Sequence, residues 1–301
     1  MKKALIVYHK VDYDGVFSAV VCKRKLESSG YEVSTLGWTY GDDIPDVLGV
    51  KADSVFLVDI SFPPEIMQEL SKVPEVYWID HHIGAITNSI NGGYQNMAGL
   101  RVQGIGACEA CWKFMYGNSE PTPWVIELAS AYDVWDKSRF NWKSQSLALQ
   151  QGLRVEYGVN LEKIYPVFEK LMNPKTIKGI LKVGQVINQY NTNRHKSAVK
   201  SYGFPVTING NWKGICMLTT EFNSTIYESV LQDYQIYVCA NRKIDQNGNV
   251  IYSISMYSES DTGLNLAEYM KANYNGGGHL CAAGGTMTEE QFIKLITRGQ
   301  V

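Results

Sequence analysis

The sequence predicts an α/β protein: an N-terminal domain with a doubly wound, mainly parallel sheet, joined by a long helix to a smaller α/β C-terminal domain. Three observations support this. Short apolar runs alternate with helical patterns in the first half. A long helical stretch follows, and beyond it new strands begin. At 301 residues the chain is long enough for two domains. We expect a cleft between the domains.

The first half contains four apolar, β-rich runs that predict strands. They cover residues 4–8, 32–36, 54–58 and 75–79. A helical pattern spans residues 15–28, and Pro63-Pro64 predicts a helix start because proline fits the first turn. Strands that alternate with helices favour βαβ units and a parallel sheet, in which ligands bind beyond the carboxyl ends of the strands.

The second half predicts further helices and then a separate set of strands. Helical patterns cover residues 106–116, 123–134, 160–171 and 175–200, and the last is the predicted connection. His195 lies in a polar part of that pattern and is expected to face solvent. Strands are expected at 204–208, 214–218, 235–241 and 250–256, and helices at 221–231, 264–272 and 289–298. The predicted domains are therefore 1–174 and 201–301, with the connecting helix at 175–200.

Composition excludes several functional classes. The net charge of −2 provides no basic field, so we expect no stable complex with duplex DNA. No segment approaches the roughly 20 apolar residues that span a bilayer. The apolar run between Lys3 and His9 is too short for the apolar region of a signal sequence. The six cysteines lack framework spacing and predict reduced thiols. A cytoplasmic protein without membrane contact is expected.

Three predicted strands end in acidic or histidine residues. His9 ends the first strand, and Asp12 and Asp14 follow in the next loop. Asp59 follows the third strand, and Asp80-His81-His82 follows the fourth. Because a carboxylate followed by two imidazoles has no ordinary packing role, this pattern predicts one metal centre at the sheet edge.

Each of the other carboxylates also has an ordinary structural explanation. Asp12 or Asp14 could cap the helix that follows, and Asp59 could cap the helix near Pro63. Asp133, in the run from Ala131 to Asp136, could be a surface carboxylate at a helix end. These alternatives stay open at the level of sequence.

These four blocks are followed by a glycine-rich run, Gly276-Gly277-Gly278-His279-Leu280-Cys281-Ala282-Ala283-Gly284-Gly285. In this order the blocks resemble the DHH phosphoesterase family with its associated C-terminal domain, over nearly the whole chain. Relatives of this kind include nanoRNases, cyclic dinucleotide phosphodiesterases, single-strand exonucleases, exopolyphosphatases and family II pyrophosphatases.

The resemblance implies a centre of two Mn²⁺ ions, for which Mg²⁺ or Co²⁺ could substitute. Asp59 would bridge the ions. The other implied ligands are His9 and Asp12 for one ion, and Asp14, His81 and Asp133 for the other. Asp80 would orient a ligating imidazole, and His82 would face the scissile phosphate. The mixed nitrogen and oxygen donors independently favour Mn²⁺ over Mg²⁺.

The resemblance also implies a substrate site in the C-terminal domain. Three consecutive glycines leave backbone N–H groups open to an anion, so Gly276, Gly277, Gly278 and His279 are candidates. The alternative is a tight turn leading into a packed helix. Many relatives carry an arginine where this chain has Tyr257, and Arg242 is a candidate for the phosphate contact.

The predicted function is a manganese-dependent phosphohydrolase of short oligonucleotides or nucleotide phosphates. Its partner would be a small nucleotide or a short single-stranded oligonucleotide, and a homodimer is an open alternative. A hydrolase of polyphosphate or pyrophosphate is the nearest rival function. A nucleotide-binding sensor without activity is the rival from another class, although the sequence retains all the predicted ligands.

Overall fold

The computed structural model describes residues 1–117, 119–220, 224–258 and 262–297. The chain divides into two compact units, Met1–Asn188 and Gln189–Val301. The division falls within the long helix that was predicted at residues 175–200. Each unit has its own sheet, so the predicted α/β class is confirmed. Among the helices of the described residues, none combines the length and apolar character that a bilayer-spanning segment needs.

The first unit is built around a five-stranded sheet in the order β2-β1-β3-β4-β5, and all neighbouring strands are parallel. The strands are β1 Lys2–His9, β2 Tyr31–Trp38, β3 Ser54–Val58, β4 Val76–Asp80 and β5 Gly99–Arg101. The four predicted strands are confirmed. The sequence did not predict β5 because three residues are too few to show a strand pattern.

Helices cover both faces of this sheet. They are α1 Tyr13–Ser28, α2 Pro64–Leu70, α3 Ile83–Asn91, α4 Ala107–Tyr116, α5 Trp124–Asp133, α6 Leu147–Glu156, α7 Leu161–Ile164 and α8 Phe168–Leu171. In β1, Ala4 and Ile6 belong to the core on one face, whereas Leu5 and Val7 belong to the core on the other. Successive strand side chains point to opposite faces, so an apolar run predicts burial on both.

The turn from β1 into α1 places polar groups at the sheet edge. Asp12 is the N-cap of α1, and its Oδ1 accepts a hydrogen bond from the Gly15 N–H over 2.9 Å. A Cβ atom at Gly15 would lie 2.0 Å from the His9 carbonyl oxygen. Only glycine therefore allows α1 to begin directly against the end of the strand.

The helix predicted over residues 160–171 is interrupted. The structure has α7, then a 3-10 turn over Tyr165–Val167, then α8. Pro166 has no N–H to donate to the preceding turn, so a continuous α-helix cannot form there. The apolar spacing predicted the buried residues but missed this break.

The second unit contains a six-stranded mixed sheet in the order β10-β11-β9-β8-β7-β6, in which only the pair β7–β8 is parallel. Its strands are β6 Phe204–Ile208, β7 Trp212–Leu218, β8 Ile236–Ile244, β9 Val250–Tyr257, β10 Gly277–His279 and β11 Ala282–Thr288. The long helix is α9 Pro174–Tyr202, and the helices that follow are α10 Leu266–Tyr274 and α11 Glu289–Thr297.

Two expectations for the second unit need correction. The helix predicted at residues 221–231 is a 3-10 helix over Ser224–Val230, and residues 221–223 lie outside the described residues. The glycine-rich run forms the hairpin β10–β11, not a turn that leads into a helix. Glycine runs carry no side-chain alternation, so no strand pattern could be recognised there.

His195 also differs from expectation. Its polar surroundings in the sequence predicted exposure to solvent, but the residue is buried. His195 lies one helical turn before Val199, which belongs to a core cluster of the second unit. Because residues four apart share a helix face, the packing of Val199 also buries His195.

Candidate metal centre

Three neighbouring strands bring the predicted ligands to one edge of the first sheet. His9 ends β1, Asp59 follows β3, and Asp80 ends β4. These strands are adjacent in the order β1-β3-β4 and are parallel. Their carboxyl ends therefore lie side by side, which is where α/β sheets bind ligands.

The ligand atoms implied by the resemblance form two groups, and a third group combines Asp59 with Asp80, His81 and His82. In the first group, His9 Nδ1 lies 2.6 Å from Asp12 Oδ2 and 3.6 Å from Asp59 Oδ2. In the second group, His81 Nε2 lies 3.1 Å from Asp133 Oδ2 and 3.6 Å from Asp14 Oδ2. Within each group, the ligand atoms lie within 4.8 Å of one another. Only Lys10 and Val11 separate His9 from Asp12, and this short loop brings His9 to the cluster.

Asp59 faces both groups. Its Oδ2 lies 3.6 Å from His9 Nδ1, and its Oδ1 lies 3.4 Å from His81 Nε2. The residue is buried and has a φ of 59°, in the left-handed region. Such a conformation is costly for a residue other than glycine, and it is found preferentially at functional sites. Asp59 does not cap α2, whose N-cap is Pro63 without a side-chain hydrogen bond.

Asp14 also has a structural contact. Its Oδ2 accepts a hydrogen bond from the Ala107 N–H over 2.6 Å, and its Oδ1 accepts one from the Cys108 N–H over 2.9 Å. These are the first amides of α4, where the helix dipole favours a negative charge. A carboxylate from α1 therefore stabilises the start of α4 while it faces His81.

Asp133 is the last residue of α5 and is not an isolated surface carboxylate. Its 3.1 Å contact with His81 Nε2 is the shortest that this nitrogen makes to a carboxylate of the cluster. The side chain is 27% exposed, whereas those of Asp14 and Asp59 are almost fully buried. Solvent therefore reaches the cluster at Asp133, as it also does at Asp12, whose side chain is 36% exposed.

Asp80 is buried behind the cluster. Its Oδ1 accepts hydrogen bonds from the His81 N–H, the His82 N–H and His82 Nδ1, over 2.7, 3.1 and 2.7 Å. Its Oδ2 accepts one from the indole N–H of Trp78 over 3.1 Å. Asp80 was expected to act catalytically by orienting a ligating imidazole. The imidazole that it contacts is that of His82, so its place is that of a positioning residue.

The charges of the cluster shift its pKa values strongly. Burial lowers the pKa of His9, but the contacts with Asp12 and Asp59 outweigh this effect and raise it to about 10. Burial likewise opposes ionisation of His81, whose contacts with Asp133 and Asp59 raise its pKa to about 11. Burial raises the pKa of Asp59, although both imidazoles oppose that shift. These buried charges need either protons or a cation for compensation.

The donor atoms fit divalent metal ions. His9 Nδ1, Asp59 Oδ1 and His81 Nε2 are buried and, within the described part of the chain, face oppositely charged groups of the cluster without a well-formed hydrogen bond. Buried polar atoms of this kind are rare in native proteins, and a bound ion is one explanation for them. Imidazole nitrogens combined with carboxylate oxygens suit Mn²⁺ or a similar transition ion better than Mg²⁺.

Thr39 is a site residue that the sequence analysis missed. Its hydroxyl Oγ1 lies 3.2 Å from His9 Nε2, so it holds the imidazole with Nδ1 toward Asp59. Metal-binding imidazoles usually contact such a partner through the other ring nitrogen. Its position directly after a strand is the signal that could have identified Thr39. In the structure Trp38, the last residue of β2, pairs with His9, so Thr39 lies at the same edge of the sheet.

The predicted substrate-binding residues lie in the second unit. Gly277, Gly278 and His279 form β10, and Arg242 is exposed on β8. Gly278 has a φ of 144°, and a Cβ there would lie 2.5 Å from the Ala282 carbonyl oxygen. A Cβ at Gly277 would meet nothing within 4 Å. Packing therefore requires glycine at position 278 but not at position 277.

The chain is similar to several solved structures. A DHH domain from a protein described as a member of a family of ribosomal proteins matches with a TM-score of 0.61 and 12% identity, covering 99% of this chain and 86% of that one. A pGpG-specific phosphodiesterase from Vibrio cholerae matches with a TM-score of 0.54 and 17% identity, covering 97% and 96%. The chain has the fold of the DHH proteins.

A third structure with this DHH fold contains a metal. RecJ from Thermus thermophilus, solved in complex with Mn²⁺, has a TM-score of 0.52 and 14% identity, and the match covers 99% of this chain and 51% of RecJ. No protein-family model and no curated protein sequence matches the chain. The family resemblance inferred from the sequence motifs is thus supported at the level of the fold.

Proposed function

We propose that the protein is a manganese-dependent phosphohydrolase that acts on short oligonucleotides or nucleotide phosphates in the cytoplasm. The observation that carries this proposal is the position of Asp59. Its two carboxylate oxygens face different ligand groups, at 3.6 Å from His9 Nδ1 and 3.4 Å from His81 Nε2. A carboxylate so placed fits a bridging ligand of a centre with two ions.

The chain supplies a complete set of ligands for two ions. His9 and Asp12 would hold one ion, His81, Asp14 and Asp133 would hold the other, and Asp59 would contact both. When bound, two divalent ions lower the pKa of a water molecule for attack and neutralise the phosphoryl oxygens. No side chain of the protein then needs to act as a nucleophile.

We assign proton donation to His82. The Asp80 carboxylate accepts a hydrogen bond from His82 Nδ1 over 2.7 Å and fixes the orientation of the ring. Burial opposes protonation of His82, but the Asp80 contact outweighs it and raises the pKa of His82. A protonated imidazole beside the cluster suits donation to a phosphoryl oxygen or to the leaving group.

The similar structures support this class of reaction. The Vibrio cholerae protein is a phosphodiesterase specific for pGpG, and the Thermus thermophilus RecJ binds Mn²⁺. In the C-terminal domain, we propose that Gly276, Gly277, Gly278 and His279, together with Arg242, contact the substrate. The homodimer stays a prediction.

The proposal can be tested with metal-depleted protein, resupplied with Mn²⁺ and assayed on a substrate panel. The panel contains dinucleotides, adenosine 3′,5′-bisphosphate, cyclic dinucleotides, polyphosphate and pyrophosphate, and the bound metal is counted by mass spectrometry. We expect about two Mn²⁺ ions per chain and hydrolysis of a nucleotide substrate that requires Mn²⁺.

Asp59→Asn is the decisive variant, and Asp53→Asn is the matched control. Asp53 is an exposed carboxylate that accepts a hydrogen bond from the Lys3 N–H, outside the cluster. We expect loss of turnover only in Asp59→Asn. Full turnover in Asp59→Asn, or a metal-loaded protein that hydrolyses nothing, would refute the proposal. Turnover of polyphosphate or pyrophosphate alone would favour the rival hydrolase.

A further inference from the structure

Three aromatic side chains are in mutual contact next to Asp133 in the chain, and we call Tyr132, Trp135 and Trp142 the aromatic platform. The rings of Tyr132 and Trp142 are stacked, with centroids 5.4 Å apart and planes inclined by 6°. Trp135 meets Trp142 edge-on at 4.8 Å and Tyr132 edge-on at 5.7 Å. The three rings therefore form one packed group beside a predicted metal ligand.

The placement of Trp135 is not explained by core packing. The residue is 41% exposed, although its indole is the largest apolar group that a side chain can bury. Its φ of 58° belongs to the end of α5, where the Trp135 N–H donates to the Tyr132 carbonyl and the Asp136 N–H to the Ala131 carbonyl. Helix capping explains the backbone conformation, so the exposed indole is the feature that ligand binding would account for.

The platform adjoins, along the chain, a ligand of the cluster that solvent reaches, Asp133. Trp135 is two residues beyond Asp133, so their Cα atoms are at most about 7 Å apart. Asp133 Oδ2 is 3.1 Å from His81 Nε2. Trp135 is thus close along the backbone to a carboxylate of the second ligand group, and its indole is in edge-on contact with Tyr132 and Trp142.

An indole face next to a phosphate site suits a nucleobase. Every base has a π-face, and stacking on an aromatic side chain is a common way to hold single-stranded nucleotides. The Lys137 Nζ lies over the rings of Trp135 and Trp142, 5.6 Å and 6.0 Å from their centroids, and places positive charge on the platform. Inorganic polyphosphate offers no group for an exposed indole.

We propose that Trp135, supported by Tyr132 and Trp142, stacks on one nucleobase of the substrate. The substrate class is then nucleotide phosphoesters and not inorganic polyphosphate. This inference rests on the proposed function for the position of the phosphate. The binding of the base itself can be measured without turnover.

The test compares two ligands that differ only in the base, adenosine 5′-monophosphate and ribose 5-phosphate. Each is titrated calorimetrically into the Mn²⁺-loaded protein. We expect the wild-type protein to bind the nucleotide about tenfold more tightly, because a stacked base contributes on this order. In Trp135→Ala the two affinities should become equal, whereas Trp135→Phe, which keeps an aromatic face, should retain most of the difference.

Tyr202→Ala is the control, because Tyr202 is an aromatic residue at the end of α9 that is 71% exposed. It should leave the affinity ratio unchanged. Thermal unfolding and Mn²⁺ affinity of each variant show whether the fold and the cluster are intact. The inference is overturned if Trp135→Ala is folded and still has the wild-type ratio of nucleotide affinity to ribose 5-phosphate affinity. If Trp135→Ala does not fold, loss of the affinity difference in a folded Trp135→Phe overturns it.

The same variants separate the two proposals. Diribonucleotide hydrolysis that persists with an unchanged Michaelis constant in Trp135→Ala would overturn the platform and leave the phosphohydrolase standing. A base-dependent affinity that disappears in Trp135→Ala, in a protein without hydrolytic activity, would support the platform and refute the phosphohydrolase.

Discussion

The Asp80 carboxylate and the His82 imidazole form a buried hydrogen bond of 2.7 Å from Nδ1 to Oδ1, directly behind the ligand cluster. An ionised carboxylate can only accept, so the proton of this bond lies on His82 Nδ1. The Trp78 indole donates to the other oxygen of Asp80 over 3.1 Å. The orientation and the charge of His82 therefore depend on a residue that the solvent does not reach.

Asp80→Asn should lower kcat by about 10- to 100-fold, the effect typical of residues that orient a site residue. Because the carboxylate raises the pKa of His82, the substitution should also move the alkaline limb of the pH–rate profile to lower pH. The measurement is kcat against pH in both proteins. A parallel loss at every pH would indicate a structural role alone.

Thr39→Val should weaken Mn²⁺ binding by about tenfold, because it removes the hydroxyl 3.2 Å from His9 Nε2. Thr39→Ser keeps the hydroxyl and serves as the matched control. Calorimetric titration with Mn²⁺ measures the affinity of each variant. Equal Mn²⁺ affinities in the two variants would mean that Thr39 does not hold the imidazole.

Asp14→Ala and Asp133→Asn should separate stability from metal binding. Asp14 accepts hydrogen bonds from the Ala107 and Cys108 amides, so its removal should lower the free energy of unfolding of the metal-free protein by about 1–3 kcal/mol. Because Asp133 is more exposed, Asp133→Asn should lower the free energy of unfolding of the metal-free protein by less than Asp14→Ala does. Both variants should lose stabilisation by Mn²⁺ in urea unfolding. If Mn²⁺ stabilises either variant as much as it stabilises the wild-type protein, the substituted residue is not a metal ligand.

Mn²⁺ binding should release about two protons at neutral pH. In the metal-free protein, the pKa values of His9 and His81 are raised to about 10 and about 11, so both rings are protonated at pH 7. A metal ion needs the neutral imidazole, and affinity should therefore rise as pH increases toward these pKa values. Calorimetry in two buffers of different ionisation enthalpy counts the protons. Binding without proton release would refute this account.

Gly277→Ala should weaken substrate binding several-fold without destabilising the protein, because a Cβ there meets nothing within 4 Å in the described residues. A ligand that approaches the backbone closely would meet the added methyl group. Gly278→Ala is the contrast, since its φ of 144° and its contact with Ala282 predict a lower melting temperature. An unchanged Michaelis constant in Gly277→Ala would exclude close ligand approach at that position.

Several features of the site could be predicted from local sequence. The apolar runs before His9, Asp59 and Asp80 identified three strands, and parallel strands end at one edge. Capping of α1 by Asp12 was one of the alternatives that the sequence left open, and the structure has it. These inferences work because strand periodicity and capping depend on neighbouring residues in the chain.

Other features could not be predicted because they depend on residues distant in sequence. The bond from the Ala107 amide to Asp14 joins residues 93 positions apart. The contact of Thr39 with His9 depends on the pairing of β2 with β1. Burial of His195 depends on which face of the C-terminal part of α9 packs into the core of the second unit.

Residue patterns alone were sufficient for the α/β class and for the strands of the first sheet that carry the acidic and histidine residues, whereas the full set of candidate metal ligands came from the family resemblance. The folded chain was needed to see that Asp59 faces both ligand groups, that Asp80 contacts His82, and that Trp135 stands exposed beside Asp133. Hydrophobic patterns specify which segments are buried, whereas the direction of a single polar side chain is set by the packing of segments far apart in the chain.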